Sequence, residues 1–208
     1  MIMHHAKSIL CLNGDLPDKD FFTEDKIIIA ADGAADKLLE MGVVPSVIIG
    51  DLDSVDLDNH QNIKIIQITD QDKSDFQKAL EYSKDNNLFP SVICGVNGGF
   101  IDQIFNNINI IAQHGCVLYA PPIVGYIVDA ELTLEVPVNS KISLFAMPKA
   151  KVRTIGLKWN LDSAQLEFPG FNSSSNRTVS KNIYIEVLEG KILALIYLDA
   201  IEDAGSAF

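Results

Sequence analysis

Two carboxylates one residue apart, Asp51 and Asp53, are the side chains of this sequence best placed for metal chemistry. They follow an apolar run, Ser46–Ile49, that reads as a short buried strand. Residues i and i+2 of an extended segment lie on the same side, so both carboxylates can face one point. Like charges this close repel each other unless a cation lies between them, and a hard divalent ion prefers oxygen ligands. The plainer alternative is a polar turn in which both aspartates accept hydrogen bonds from loop amides.

A second acidic loop lies between a predicted strand and a predicted helix. It combines carboxylates with one ammonium group, in the order Asp70, Asp72, Lys73 and Asp75. Carboxylates bind a metal ion and an ammonium group binds phosphate, so the loop predicts a metal–phosphate site. Ser74 and Gln77 have the spacing of a capping box, which predicts a helix that begins here with Asp75 in its first turn.

Glycines mark two more junctions between predicted strands and helices. Asp32 and Gly33 form one of them, where Gly33 permits a ligand to approach the backbone amides. Asp32 can serve there as a ligand-facing carboxylate, as the N-cap of the helix, or as both. At the other junction Gly98 and Gly99 allow the backbone to come close to a nucleotide, and Asp102 precedes the helix. A glycine-rich turn is a weak signal by itself, and its weight here comes from its position.

These loops need elements that bring them to one edge of a sheet. From residue 8 to about 119, short apolar runs alternate with helical patterns, which predicts parallel strands joined by crossover helices. The predicted strands are Ser8–Leu12, Lys26–Ala30, Ser46–Ile49, Lys64–Ile68, Ser91–Cys94 and Cys116–Tyr119. The acidic and glycine-rich loops then follow strand ends at the edge where open α/β sheets bind ligands.

The pattern changes after Ala120–Pro122, where convincing amphipathic helices end and short alternating runs begin. The predicted strands are Glu131–Val136, Lys141–Phe145, Lys151–Thr154, Gln165–Phe168, Ile183–Leu188 and Ile192–Leu198. Asn172–Arg177 reads as a polar loop, and Trp159 is either a core residue or an exposed stacking surface. The predicted fold is an α/β nucleotide-binding domain with a mostly parallel sheet over residues 1–122, followed by an antiparallel β-sandwich over residues 123–208.

The composition narrows the classes of function. The chain has 208 residues, of which 48% are hydrophobic and 21% charged, as in a globular protein. A net charge of -12 argues against a nucleic-acid surface, which needs clustered Lys and Arg. The three cysteines lie in or beside apolar runs and predict buried, reduced thiols of a cytoplasmic protein. We expect no membrane span, and the segment before Ser8 is too short and polar for a signal peptide.

Taken together, these motifs resemble the thiamine pyrophosphokinase family. The resemblance runs in the family's order from about residue 26 to 199 and rests on residues 31–33, 50–54, 70–76, 99–103, 156–161 and 175–176. It implies transfer of the terminal diphosphoryl group of ATP to the hydroxyl of thiamine, with release of AMP. It also implies Mg²⁺ as the cofactor and a homodimer whose thiamine sites lie between the subunits.

The resemblance assigns roles to particular residues. It implies that Asp51, Asp53 and Asp75 hold the metal, with Asp32 nearby and Lys73 on the phosphates. The implied thiamine contacts are Gln71, Trp159, Ser175 and Asn176. The implied nucleotide contacts are Gly33, Gly98, Gly99, Asp102 and Gln103. Asp32 and Asp75 are the two candidates for the general base, and the sequence does not choose between them.

One departure from the family pattern keeps other functions open. Phe100 stands where the family usually has an arginine, so a forked phosphate contact is lost. Lys73, Arg177 or another cation would have to replace it, or the chain is a catalytically silent thiamine- or nucleotide-binding protein. A pyrophosphokinase for a hydroxymethylpterin would share the Asp51–Asp53 loop, although the segment Gly156–Leu161 favours thiamine. A sugar-nucleotide transferase would also use two such aspartates, but no other motif supports it.

Overall fold

The computed structural model describes residues 6–23 and 25–200, with the side chains of residues 199 and 200 excepted. The chain divides into two compact units between Pro121 and Pro122. The segment before Ser8, which we predicted not to be a signal peptide, lies mostly outside the described residues. Within the described residues, no helix is long and apolar enough to cross a membrane.

The first unit is built on a parallel sheet, as the alternation of strands and helices predicts. Its strands are β1 (Ser8–Cys11), β2 (Ile27–Ala31), β3 (Val47–Gly50), β4 (Lys64–Gln67), β5 (Ser91–Cys94) and β6 (Val117–Ala120). They lie in the order β6-β5-β1-β2-β3-β4, and every pairing among them is parallel. The predicted strands agree with the observed ones to within one residue at each end.

The centre of this sheet explains where a ligand can bind. Leu10 of β1 is in register with Ile29 of β2 and Ile93 of β5, and all three side chains are fully buried. The chain winds from β1 outward through β2 to β4, and later continues on the other side of β1 with β5 and β6. The order of the strands therefore reverses between β1 and β5, and a crevice at the carboxyl ends of such strands is a common ligand site.

Three α-helices follow strand ends in this unit. They are α1 (Ala34–Glu40), α2 (Asp75–Asp85) and α3 (Ile101–His114), and short 3₁₀ helices cover Lys19–Phe21 and Leu57–His60. The capping box is confirmed, because the Ser74 hydroxyl accepts from the Gln77 amide while the Gln77 side chain accepts from the Ser74 amide. The interpretation of Asp32 as a helix N-cap is wrong. Gly33 occupies that position and α1 has no side-chain cap.

The second unit is antiparallel and packs around one apolar cluster. Its strands are β7 (Ile123–Val128), β8 (Glu131–Glu135), β9 (Ser140–Ile155), β10 (Ala164–Glu167), β11 (Ser173–Arg177) and β12 (Asn182–Ala200). The long strand β12 pairs with β8 near its start, with β7 near its end and with β9 throughout. Strand β9 likewise pairs with β11 and then with β10. The strands and helices of the two units agree with the predicted organisation, an α/β segment followed by a β segment.

Several details of the predicted second half are wrong. Lys141–Phe145 and Lys151–Thr154 belong to the single strand β9, and the two predicted strands after residue 182 belong to β12. Pro148 and Gly190 do not end these strands because the pairing register of β9 and β12 shifts in this region, where an irregular ladder tolerates both residues. Strand β7 was not predicted, and most of the predicted polar loop is strand β11.

The cysteines give a direct test of this packing. Cys11, Cys94 and Cys116 are free and buried, as predicted, and burial raises the pKa of all three thiols, that of Cys116 to about 12. Since the thiolate is the reactive form, we expect no rapid reaction with Ellman's reagent in the native protein and reaction of all three thiols in guanidinium. Rapid reaction of even one thiol with Ellman's reagent in the native protein would contradict this packing.

Candidate active site

A cavity of about 280 Å³ lies at the carboxyl ends of the central strands of the first unit. Backbone after β1, β2 and β5 lines it, at Asn13–Gly14, Asp32–Gly33 and Gly95–Val96. The face of α3 adds three amide side chains, Gln103, Asn106 and Asn107. The cavity therefore lies at the point where the strand order reverses, as the fold leads us to expect.

The predicted nucleotide residues divide into two groups. Gly33, Gly99 and Gln103 line the cavity, whereas Gly98 and Asp102 are not among its lining residues. Gly98 has φ +87°, and a Cβ there would lie 2.2 Å from the carboxylate of Asp15, so this glycine makes room for a neighbouring side chain. The amides of α3 were not predicted as site residues, although their spacing in the sequence places them on one face of a helix.

Three carboxylates converge beside the cavity. One oxygen from each of Asp32, Asp51 and Asp75 lies within 4.8 Å of the other two. Asp32 is buried, and burial, followed by the charges of Asp75 and Asp53, raises its pKa to about 6. The backbone N–H of Ser54 donates to the Asp32 carboxylate and opposes this rise.

Asp51 and Asp53 have different surroundings. Gln71 donates to Asp51 Oδ2 over 3.0 Å, and this hydrogen bond lowers the pKa of Asp51 below its usual value. Asp53 is exposed, and its Oδ1 accepts a hydrogen bond from the Ser54 hydroxyl over 2.7 Å. The structure thus brings Asp32 into the carboxylate group, while the role of Asp53 as a metal ligand stays a prediction.

The cation within this cluster is Lys78, and the predicted role of Lys73 on the phosphates stays a prediction. Lys73 lies on the outside, where its Nζ donates to Glu81 over 2.8 Å. Lys78 is 2% exposed, and its Nζ lies 2.9 Å from Asp75 Oδ1 and 3.9 Å from Asp51 Oδ2. The sequence carried a signal for this pair, because Asp75 and Lys78 are three residues apart on α2 and such residues are neighbours on a helix.

The residues of the cluster fit a divalent cation with oxygen ligands. Among the described residues, Asp32 Oδ1 is buried without a hydrogen-bond partner. An unpaired buried acceptor costs about 1–3 kcal/mol, and a bound cation would use it. Three carboxylates facing one ammonium group also leave an excess of negative charge at this point. Hard cations such as Mg²⁺ bind carboxylates of this kind.

The second unit exposes the only tryptophan of the chain. Trp159 is 57% exposed, so the interpretation of it as a core residue is wrong, and its role as a stacking surface stays a prediction. The Nζ of Lys158 lies 4.7 Å from the centre of its ring, which shows that the indole face accepts a cation. The turn is held by Asn160, whose Oδ1 accepts from the Leu157 amide.

Asn176 also holds this turn. Its side chain is buried, donating to the Trp159 carbonyl over 2.7 Å and accepting from the Trp159 amide over 3.2 Å. Both ends of its amide are therefore used to fix the backbone that carries the indole. Ser175 is exposed with φ 56°, and its N–H donates to Ser143. Direct contacts of Ser175 and Asn176 with a substrate stay predictions.

Phe100, where the resemblance leads us to expect an arginine, is the N-cap residue of α3 and is 78% exposed. It adjoins Gly99, which lines the cavity, but its side chain makes no capping hydrogen bond. Of the replacement cations considered, Lys73 is bound to Glu81 and Arg177 donates to the Asn139 carbonyl. Lys78 is the cation that lies within the carboxylate cluster.

Comparison with known proteins gives the same result along both halves of the chain. The family model "Thiamin pyrophosphokinase, catalytic domain" matches residues 19–119, and "Thiamin pyrophosphokinase, vitamin B1 binding domain" matches residues 131–192. Thiamine pyrophosphokinase 3 of Oryza sativa is 28% identical over 82% of this chain and 79% of its own length. Thiamin pyrophosphokinase 1 of Caenorhabditis elegans is 22% identical over 85% of this chain and 82% of its own length.

Solved structures share the fold. The crystal structure of thiamine pyrophosphokinase from Bacillus subtilis has a TM-score of 0.82 and 19% identity, covering 93% of this chain and 100% of its own. The yeast thiamin pyrophosphokinase structure has a TM-score of 0.77 and 19% identity, covering 95% of this chain and 87% of its own. Because the two family models match successive segments that together span most of the sequence, the chain belongs to the thiamine pyrophosphokinase family.

Proposed function

We propose that this protein transfers the diphosphoryl group of ATP to the hydroxyl of thiamine, giving thiamine diphosphate and AMP. The observation that carries the proposal is the group of Asp32, Asp51 and Asp75 around the buried Lys78, beside a cavity at the carboxyl edge of the sheet. A cluster of this kind suits a triphosphate that arrives with a metal ion. Membership of the family disfavours a pterin substrate and a sugar-nucleotide transferase.

In this reaction the thiamine hydroxyl oxygen attacks the β-phosphorus of ATP. The bond between that phosphorus and the oxygen that bridges to the α-phosphorus breaks, and AMP leaves with the bond electrons. The hydroxyl proton passes to a carboxylate, for which Asp32 and Asp75 are the candidates beside the cavity. The protein supplies positioning and charge: Lys78 offers a fixed ammonium group, and the backbone around Gly33 and Gly99 shapes the cavity.

Mg²⁺ is the cation that we propose for the carboxylate group. Asp32, Asp51 and Asp75 would hold it, and Asp53 is a further ligand that the sequence pattern predicts. When bound, the ion would neutralise phosphate charge and orient the triphosphate for attack. The hydrogen bond from Gln71 orients the Asp51 carboxylate toward this task.

For thiamine we propose a site shared between two copies of the chain. The exposed indole face suits a flat cation, and the thiazolium ring would take the place of the Lys158 ammonium on the partner subunit's Trp159. Gln71, which donates to Asp51 of the acidic cluster, would contact the bound thiamine. The proposal includes a homodimer and a cytoplasmic location, where buried cysteines stay reduced.

The first test is AMP release from ATP and Mg²⁺ with and without thiamine. We expect thiamine-dependent AMP from the parent and a loss of about 100-fold or more in Asp51→Asn, because the variant removes a charge from the proposed metal site. Asp58→Asn is the matched control, since it removes an exposed carboxylate from the neighbouring 3₁₀ helix. A folded parent that binds thiamine without releasing AMP would favour a silent binding protein.

A second test distinguishes the two lysines. Lys78→Met should lower kcat by about 100-fold, because it removes the ammonium group that lies within the carboxylate cluster. Lys73→Met should stay within about threefold of the parent, because the lysine forms an exposed ion pair with Glu81. Thermal unfolding of both variants and a Lys78→Arg variant separate lost charge from lost packing. A larger loss of kcat in Lys73→Met than in Lys78→Met would indicate that Lys73 binds the phosphates.

The third test concerns the indole surface. Trp159→Ala should raise the KM for thiamine by roughly 3- to 30-fold and leave the KM for ATP unchanged, as expected for loss of a cation–π contact of about 0.5–2 kcal/mol. Phe171→Ala, which removes another exposed aromatic side chain of the same unit, is the control and should behave as the parent. An unchanged KM for thiamine in Trp159→Ala would exclude the proposed stacking.

A further inference from the structure

Helix α1 contacts two loops that border the cavity. The Nζ of Lys37 donates to the carbonyl oxygens of Asn13 and Gly14, each over 3.0 Å. Those two residues line the cavity directly after β1. A single ammonium group therefore ties the backbone of this loop to the helix through two charge-assisted hydrogen bonds.

Asp36, which precedes Lys37 on α1, binds the other loop, which follows Asp51. Asp36 Oδ1 lies 2.7 Å from Nε2 of His60, and its Oδ2 accepts from the Asp56 amide over 3.0 Å. The His60 side chain is fully buried, and the Asp56 side chain accepts from the Asp58 amide at the start of the 3₁₀ helix. One carboxylate thus holds both ends of the segment that follows the Asp51 loop.

The two loops meet over Gly33. A Cβ at Gly33 would lie 2.6 Å from Asn13 Nδ2 and 3.0 Å from the Ser54 carbonyl oxygen, so the three groups are packed together. The Ser54 amide in turn donates to the Asp32 carboxylate. A shift of either loop at this point would move groups that touch the cavity and the carboxylate cluster.

The Asp51 loop needs such support because its backbone is strained. Leu52 has φ +68°, a conformation that is unfavourable for a non-glycine residue and persists only where the surroundings enforce it. β3 fixes the start of the loop, and the Asp36 carboxylate fixes its end through Asp56. Without the second anchor, the loop is free to relax from the geometry that directs Asp51 toward Asp75.

We propose that Asp36, Lys37 and His60 are positioning residues for diphosphoryl transfer, acting through the two loops that they hold. The inference rests on the proposed function and adds residues of α1 and of the 3₁₀ helix to its machinery. None of the three belongs to the carboxylate group or lines the cavity. Their contribution is geometric, and a misplacement of about 1 Å at a reacting centre can cost about 100-fold in rate.

The test uses loop-specific variants and two readouts. Asp36→Ala should speed amide hydrogen exchange in residues 51–60 and leave residues 12–15 unchanged, because its carboxylate contacts only the first of these segments. Lys37→Met should have the opposite pattern, because its ammonium contacts only the loop after β1. Both should lower kcat by about 10- to 100-fold with the KM for thiamine changed less than about threefold.

Conservative variants and a control separate positioning from general stability. Asp36→Asn keeps an acceptor for the Asp56 amide, His60→Gln keeps a donor toward Asp36, and Lys37→Arg keeps the donors to the backbone, so each should recover most of the rate. Glu40→Ala changes an exposed residue of the same helix and should behave as the parent.

Two results would overturn the inference. Unchanged exchange in residues 51–60 of Asp36→Ala would show that the carboxylate does not hold the loop. Parental kcat in both loop variants would show that the loops need no such anchor. A parent that releases no AMP would overturn the proposed function instead, and the exchange pattern would still decide whether α1 holds the loops.

Discussion

The repulsion among Asp32, Asp51 and Asp75 is the constraint on which the rest of the candidate site depends. Three carboxylates do not stay within a few ångströms of one another unless the fold holds them and cations offset their charge. The first requirement is met by placing them after β2, after β3 and at the start of α2. The second is met in part by Lys78, which leaves an excess of negative charge for a divalent ion to balance. Burial, followed by the charge of Asp75, raises the pKa of Asp32.

The first unit was predictable because its signals are local. Neighbouring residues are enough to indicate short buried strands, glycine turns and a capping box. The parallel order of the strands then brings their loops to one edge of the sheet. The spacing of Asp51 and Asp53 correctly indicated an acidic site, but it did not show that Asp32 completes the carboxylate group. That contact joins loops after different strands and depends on tertiary packing. Lys78 was missed since a lysine on a helix ordinarily lies in solvent, and only the fold shows this one to be buried.

The second unit was harder to predict because its strands change partners along their length. Pro148 and Gly190 are strand breakers in a local interpretation, yet β9 and β12 continue through them where their pairing shifts. The polar residues of β11 form a strand because they pair with the first part of β9. No local pattern in the sequence predicts this pairing. The buried Asn176 shows the same limit, because its amide fixes the Trp159 turn from a strand that is distant in sequence.

Phe100 places an uncharged side chain at the N-cap of α3. An exposed phenyl ring stands at the residue where the resemblance leads us to expect the forked phosphate contact of an arginine. Lys78 supplies a fixed positive charge within the carboxylate cluster, and two carboxylates already engage it. In the proposed reaction, a metal ion held by Asp32, Asp51 and Asp75 would therefore supply a larger part of the charge that neutralises the phosphates. The proposed reaction then depends on the geometry of the Asp51 loop, and hence on the contacts by which α1 holds that loop.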